Sequence, residues 1–364
     1  MAMKAKLIQH VTFTSLLAIG VSVLAIGGAV TNTAKLGVLV VDDITAKPIP
    51  NVKVTGIFKN DNGWLAFKGS ADSDMDTART DAKGCCRVRG RTNLGYASCT
   101  IDAEVPGYYW HDQGDGRNFQ QRNALGIWQP DNLVVTIRLQ RVEHPIPLLV
   151  KYVSEASRVS RSKEIFPKGE NVVRYDLVIG DWLPPVGKGK VADVEFTRHP
   201  RKTLYEVETS CYDGKIKMQA FRDSMTAKFL GEWNGLVELH PPPHLGLMIR
   251  TAPGTGYLPE YECWAQLDLW KPDQQSFARS KETSSYDANR CFCFRIRTRR
   301  DKNGKIVEAY YGKIYGDIFF SHYVTNVCML YYLNPTPLDR NLEWDQKNNL
   351  CQPDDPSFEF EFRP

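Results

Sequence analysis

The residues most open to chemistry in this 364-residue chain are its nine cysteines, two of them adjacent at Cys85-Cys86. A thiol pair is a natural metal ligand set or redox couple. The surrounding stretch, "TDAKGCCRVRG", argues against both. Asp81 to Gly84 has turn composition, and Gly84 takes a positive φ without steric cost. The residues after it alternate as a strand, with Cys86 and Val88 on one face and Cys85, Arg87 and Arg89 on the other. Thiols on opposite faces do not converge on one ion. Cys86 reads as a small core residue, and Cys85 is left to pair elsewhere, with Cys99 the nearest candidate. No C-x-x-C occurs. Cys85, Cys99, Cys211, Cys263, Cys291, Cys293, Cys328 and Cys351 are the candidates for disulfides or thiol chemistry. The odd total leaves at least one without an internal partner.

Other chemical groupings are weaker. In "HPPPH", His240 to His244, the prolines favour a polyproline II rise of about 3.1 Å per residue, which holds the two histidine backbones roughly 12 Å apart. That is too far for one zinc ion, and a stiff loop is expected. His322 stands alone beside an apolar run. "DKNGK", 301–305, lacks the spaced acids of a calcium loop. "GKGK" and "PGTG" have neither the P-loop nor the dinucleotide pattern, and G-x-S-x-G and H-E-x-x-H are absent. Asp176, Asp181, Asp193, Glu195, Asp317, Glu343 and Asp345 are plentiful carboxylates, but no pair stands out as catalytic. No catalytic residue, metal site or cofactor is assigned. Arg295, Arg297 and Arg299 form a one-sided stripe that would suit a polyanion, or would simply be the solvated face of an edge strand. Trp182, Trp233, Trp264 and Trp270 are candidates for stacking on sugars, against core packing as the ordinary alternative.

What positions these residues begins with a leader. Lys4 and Lys6 precede the uncharged "LLAIGVSVLAIGGAV", residues 16–30, and small residues follow. The order is that of a secretory signal peptide cleaved after Ala29 or Ala34; the alternative is an uncleaved membrane anchor. Either places the rest outside the cytoplasm. The formal charge of +4 gives no global field for nucleic acid. Hydrophobic residues at 42% and charged residues at 24% are ordinary for globular domains.

"KLGVLVVDDITAKPIPNVKV" gives a strand, a turn and a second strand, and "LVVTIRLQR" alternates Val135, Ile137 and Leu139 with polar residues. The Pro48–Val52 turn, the Thr80–Gly84 hairpin and Gly107-Tyr108 together resemble a carboxypeptidase regulatory-like domain, the prealbumin-like sandwich of about seven strands. The resemblance covers roughly residues 36–142. Ala46 departs from it where such turns usually carry Gly, and segments 59–77 and 109–130 are longer than a minimal module needs. The family has no catalytic residues of its own, so the resemblance implies a spacer or interaction module.

Residues 143–173, with Pro145, Pro147 and Pro167, read as a linker, with a short helix at 153–165. Strand-like runs then resume, and "CFCFRIRTRRDKNGKIVEAYYGKI" is a hairpin whose Asn303-Gly304 suits a type I′ turn. Phe292, Phe294 and Ile296 face one way; Cys291, Cys293 and the arginines face the other. "YYLNPTPLDRNLEWD", 331–345, is either a turn-rich extension or an arm donated to a partner. The expected architecture is all-β: a signal or anchor at 1–34, a prealbumin-like sandwich at 35–142, the linker, and a sandwich or jelly-roll-like domain at 174–364. The expected function is a non-catalytic structural or interaction role in the cell envelope, with an envelope protein or surface glycan as partner. No nucleic acid is expected, and a membrane only through the N-terminal segment. The alternative is a secreted carbohydrate-active protein, binder or hydrolase, with its site in the second domain.

Overall fold

The computed structural model describes residues 32–60, 73–101, 105–109, 115–153, 166, 170–211, 214–240, 249–272, 279–287, 289–320 and 327–351. Among these the secondary structure is all strand, and the chain divides into two units at Val142/Glu143.

The first unit is a sandwich. Strands β1 (Thr33–Asp42), β4 (Cys85–Arg91) and β9 (Val134–Leu139) form one sheet in the order β4-β1-β9. Strands β2 (Lys53–Lys59), β3 (Ser73–Arg79), β5 (Tyr96–Ile101) and β6 (Asp115–Asn118) form the other, in the order β3-β2-β5-β6. The pair β7 (Gln121–Arg122) and β8 (Trp128–Gln129) stands apart from both. Alternation fills the space between the sheets with Leu36, Val38, Val40, Val54, Phe58, Val88, Ile137 and Leu139. Gly90 lets them close: a Cβ there would come within 2.2 Å of the Phe58 ring.

The Asp-x-x-Gly turn before β4 forms as its residues require. Asp81 Oδ1 accepts the amides of Lys83 (2.8 Å) and Cys85 (2.9 Å), and Gly84 sits at φ +69°. The same arrangement recurs at Asp301–Gly304. Asp301 Oδ1 accepts the amides of Asn303 and Lys305, both at 2.9 Å, and Gly304 has φ +80°. The hairpin is therefore present without the type I′ geometry expected for Asn303-Gly304. That geometry needs positive φ at both Asn303 and Gly304, and only Gly304 has it. The Asp301 carboxylate holds the preceding residues in the other conformation.

The second unit is a two-sheet sandwich. One sheet has the order β16-β19-β20-β21-β10-β22, built from β10 (Ile146–Val153), β16 (Gly235–Leu239), β19 (Cys291–Arg300), β20 (Ile306–Phe320), β21 (Val327–Leu333) and β22 (Trp344–Asn349). The other runs β12-β11-β13-β15-β17-β18, with β14 beside β15. Its strands are β11 (Val172–Asp176), β12 (Asp181–Trp182), β13 (Val194–Arg198), β14 (Lys202–Cys211), β15 (Gly214–Phe229), β17 (Glu260–Pro272) and β18 (Arg279–Ser284). Aromatic residues dominate the space between the sheets: Tyr175 meets Trp182 edge-on at 4.9 Å, and Phe229 stacks on Phe294 at 6.0 Å.

Residues 146–153, assigned to a linker on composition, are an inner strand of this unit. β10 lies between β21 and β22, with Leu148, Val150 and Val153 buried. Pro147 disguised it. The ladder to β22 is irregular between Ile146 and Leu148, so a residue lacking an N–H is accommodated there. The short helix expected at 153–165 falls, past Val153, outside the described residues.

The six-stranded sheet also buries its other face, under Ile249–Leu258 and Asn334–Trp344. Ala252 donates to Arg340 O (2.8 Å), Leu342 to Arg250 O (2.7 Å) and Leu338 to Ala309 O (2.8 Å). The "YYLNPTPLDRNLEWD" segment thus folds back on its own sheet, and Leu342 and Trp344 are buried in the process.

Candidate functional site

Three charged arrangements stand out. The first is the outer face of β4-β1-β9. The register pairs Thr33 with Arg91, Lys35 with Arg89, Gly37 with Arg87 and Leu39 with Cys85. Alternation sends Val88 inward and leaves Cys85, Arg87, Arg89 and Arg91 exposed. At the edge of β4 the amides of Arg89 and Arg91 donate to Asp76 Oδ2 (2.9 Å) and Asp74 Oδ2 (2.8 Å) on β3, which stitches the two sheets together. Cys86 is half-buried against the core, where burial and the neighbouring Cys85 and Asp81 push its thiol up to about 11. The facing expected of Cys85 and Cys86 is found.

The second arrangement is the Asp42 cluster. This buried carboxylate accepts Thr45 N (2.7 Å), Tyr108 OH (3.0 Å) and Arg141 Nε (2.9 Å). Burial alone would raise its pKa; these bonds outweigh burial and hold it well below the usual range. The cluster ties the end of β1 to the Gly107-Tyr108 turn.

The third is a set of buried charges in the second unit. Arg297 donates to Asp193 Oδ1 and Oδ2 (both 2.9 Å) and to Asp176 Oδ1 (2.8 Å). Asp176 also accepts the amides of Val178, Ile179, Lys190 and Val191, closing the turns that flank β12. Burial pulls both acids upward. For Asp176 the amides prevail and its pKa falls; for Asp193 burial prevails over Arg297 and its pKa rises. Asp317, also raised by burial, accepts Arg290 Nη1 (2.9 Å), Tyr261 OH (3.3 Å) and the amides of Asp287 and Ile318. Glu238 Oε1 lies 2.8 Å from Arg290 Nε and 3.0 Å from His240. The Arg290 Nε–H does not point along that line, so this is an ion pair without a linear hydrogen bond. Lys313 is fully enclosed, with Nζ donating to Ile249 O at 3.2 Å above the Tyr332 ring at 4.9 Å.

The arginine stripe of the sequence is dispersed. Arg295 is buried, donates to Trp233 O and stacks on Tyr257 at 4.5 Å. The ladder shifts between Ile296 and Arg299, and Arg297 sits at φ +52°, which turns its side chain to the acids of the facing sheet. Arg299 is exposed and paired with Glu308. The carboxylates weighed in the sequence are spread among structural tasks. Glu195 pairs with Arg174, Glu343 accepts the amides of Glu143 and His144 (2.7 Å each), and Asp345 caps Lys347 and Asn348.

Among the tryptophans, Trp182 is core and Trp264 is half-buried beneath Arg222 at 4.4 Å. Trp233 is half-exposed at φ +66°, with Arg300 over its ring at 3.6 Å. The side chains of Trp270 and Cys211, and all of His244 and His322, lie outside the described residues. No disulfide joins the described cysteines. Cys85 points outward while Cys99 is buried between the sheets, so the pairing raised for them is not made. Cys263, Cys291 and Cys293 are buried, and Cys328 and Cys351 lie on the second unit. Among the described residues no group of histidines, cysteines and acids is placed to hold a metal.

Lys313 escaped the sequence reading, although its signal was present. It shares a strand face with Tyr311 and Tyr315, and two aromatic neighbours at i±2 mark an enclosed position.

No protein-family model matches the chain, and no curated protein matches it in sequence. Solved structures that align with it include a Streptococcal ancillary pilin, at 14% identity over 57% of this chain and 56% of that one, with a TM-score of 0.21. The shaft pilin SpaA of Lactobacillus rhamnosus GG aligns at 12% identity over 56% and 89%, with a TM-score of 0.22. BcpA, the major pilin subunit of Bacillus cereus, aligns at 9% identity over 82% and 95%, also at 0.22. The chain thus spans little more than half of the ancillary pilin. Likeness at these TM-scores assigns neither family nor function.

Proposed function

We propose that this chain is an exported protein of the cell envelope with a non-catalytic structural or interaction role. One observation carries the reading. The buried charged side chains Asp42, Asp176, Asp193, Asp317 and Glu343 are each bound to backbone amides, and four of these five also bind an arginine through hydrogen bonds at 2.9 Å or less. They fasten turns and join sheets, which is what a scaffold needs from charges in its interior.

The first unit is further proposed to be a carboxypeptidase regulatory-like module. Its motif residues interlock: Thr80 Oγ1 accepts Val52 N (2.9 Å) and donates to Ile49 O (2.8 Å), joining the Pro48–Val52 turn to the Thr80–Gly84 hairpin. Tyr108 reaches Asp42. Ala46, which departs from the usual Gly, adopts φ +56°, the conformation that Gly would favour.

Export has a specific expected outcome. Ala34 is buried in β1 opposite Gly90, so cleavage after Ala34 would remove part of the strand, whereas cleavage after Ala29 leaves it whole. Fractionation of the source cells, with mass spectrometry of the N-terminus, should find the protein in the envelope or medium. It should begin at Val30, or retain Lys4 in membranes if the leader anchors it. Full-length protein confined to the cytosol would refute the proposal.

A further inference from the structure

We propose that the outer face of β4-β1-β9 binds a linear, non-aromatic polyanion, a polymer bearing phosphodiester or carboxylate groups, through Lys35, Arg87, Arg89 and Arg91. This names a ligand class for the interaction role proposed above and rests on it.

Same-face residues on a strand repeat at about 6.6–6.8 Å, so Arg87, Arg89 and Arg91 form a row roughly 13 Å long. Lys35 stands directly across from Arg89 on β1. Like charges facing each other across a sheet are destabilising, so the fold carries a standing cost here. Among the described residues none of the four cations takes part in an ion pair with a carboxylate. Elsewhere Arg141, Arg174, Arg201, Arg290, Arg297 and Arg299 are all paired. Asp74 and Asp76 on β3 accept the backbone amides of Arg91 and Arg89 rather than their guanidinium groups.

Exposed charges on an edge strand commonly serve to discourage edge-to-edge association. That explanation is weak for β4, because the two aspartates already cover its outward amides at 89 and 91. The row is therefore surplus to edge protection.

The rest of the face selects among polyanions. Its remaining positions are Thr33, Gly37, Leu39, Val41, Cys85, Val134, Thr136 and Arg138, the last a further cation across from Val41. Among the described residues of this face there is no aromatic ring for bases to stack on, which disfavours single-stranded nucleic acid. Val41 is buried, and Leu39 and Val134 alone do not make an insertion face for lipid. A flat row of guanidinium groups, each able to engage an oxyanion through two N–H donors, suits a chain of regularly spaced anions.

The test uses the full chain against heparin and long-chain inorganic polyphosphate. Binding is expected at low salt and should weaken steeply by about 0.5 M salt. Arg87→Gln/Arg89→Gln should bind on the order of tenfold more weakly or worse. Arg299→Gln, on the second unit, should bind as the wild type does. Thermal unfolding of the double variant should be unchanged or slightly raised, because the Lys35–Arg89 repulsion is gone; this separates lost binding from lost folding. Absence of binding at low salt, equal loss in Arg299→Gln, or tighter binding of single-stranded DNA or anionic vesicles would overturn the proposal. A chain that failed this test but was still found in the envelope would keep its structural role and lose only this ligand.

Discussion

Replacing Arg297 with methionine is expected to cost the second unit about 3–5 kcal/mol at pH 7, the usual penalty for leaving buried charge uncompensated. Arg297 bridges Asp176 and Asp193, whose side chains are almost completely enclosed. Asp176 keeps four backbone amides and stays ionised without the arginine. Asp193 keeps only the amide of Leu177 and faces Asp176. Burial already raises its pKa, and loss of Arg297 raises it further. A carboxyl raised in the folded state contributes stability that is present below its unfolded value and lost as pH rises through the folded one. The variant should therefore be less destabilised at pH 5 than at pH 7, because acidification favours the protonated Asp193. Denaturant unfolding at both pH values, followed through the emission of Trp182 against Tyr175, reads this out. A loss under about 1 kcal/mol, independent of pH, would contradict it.

The opposite substitution effect is expected at Lys313. Its ammonium is fully enclosed, with a hydrogen bond to Ile249 O, and burial pushes its pKa down to about 8. Between there and the ordinary lysine value the unfolded chain holds a proton that the folded one has shed, so this group makes stability rise with pH. Lys313→Met keeps the volume and removes the charge. It should stabilise the unit by about 1–3 kcal/mol below pH 8. That advantage should shrink by about 1 kcal/mol between pH 8 and 9 as the wild-type lysine neutralises. Burial raises the thiols of Cys291 and Cys293, to about 11 and about 12, and these oppose stability at alkaline pH. The Lys313 charge lowers both, so they rise further in the variant, but up to pH 9 they stay protonated in the folded state of either protein. A destabilised variant, or an advantage constant from pH 7 to 9, would mean that Lys313 is not buried as a charge.

Both effects lie where local sequence pattern and fold part company. Period-2 alternation located most strands, and the facing of Cys85 and Cys86 followed from it directly. The Asp81–Gly84 turn was legible because one side chain and one glycine settle it; at Asp301–Gly304 the hairpin was legible, but the Asp301 cap that sets its turn type was not. The stripe Arg295, Arg297, Arg299 was not legible as it stands. A strand keeps its faces only while its ladder stays in register, and the shift after Ile296 depends on acids more than a hundred residues earlier in the chain. β10 was hidden for a related reason: its prolines resemble a linker until β21 and β22 arrive on either side. The free basic row was visible in "CCRVRGR", but Lys35 joins it only through the β1–β4 register.

The central claim is that the interior charges of the second unit hold its two sheets together. A double-mutant cycle on Arg297→Met and Asp193→Asn measures that directly, because β19 and the start of β13 belong to opposite sheets. The predicted coupling is about 2 kcal/mol or more at pH 7. Coupling below about 0.5 kcal/mol, with both single variants as stable as the wild type, would show that these groups do not fasten the sheets.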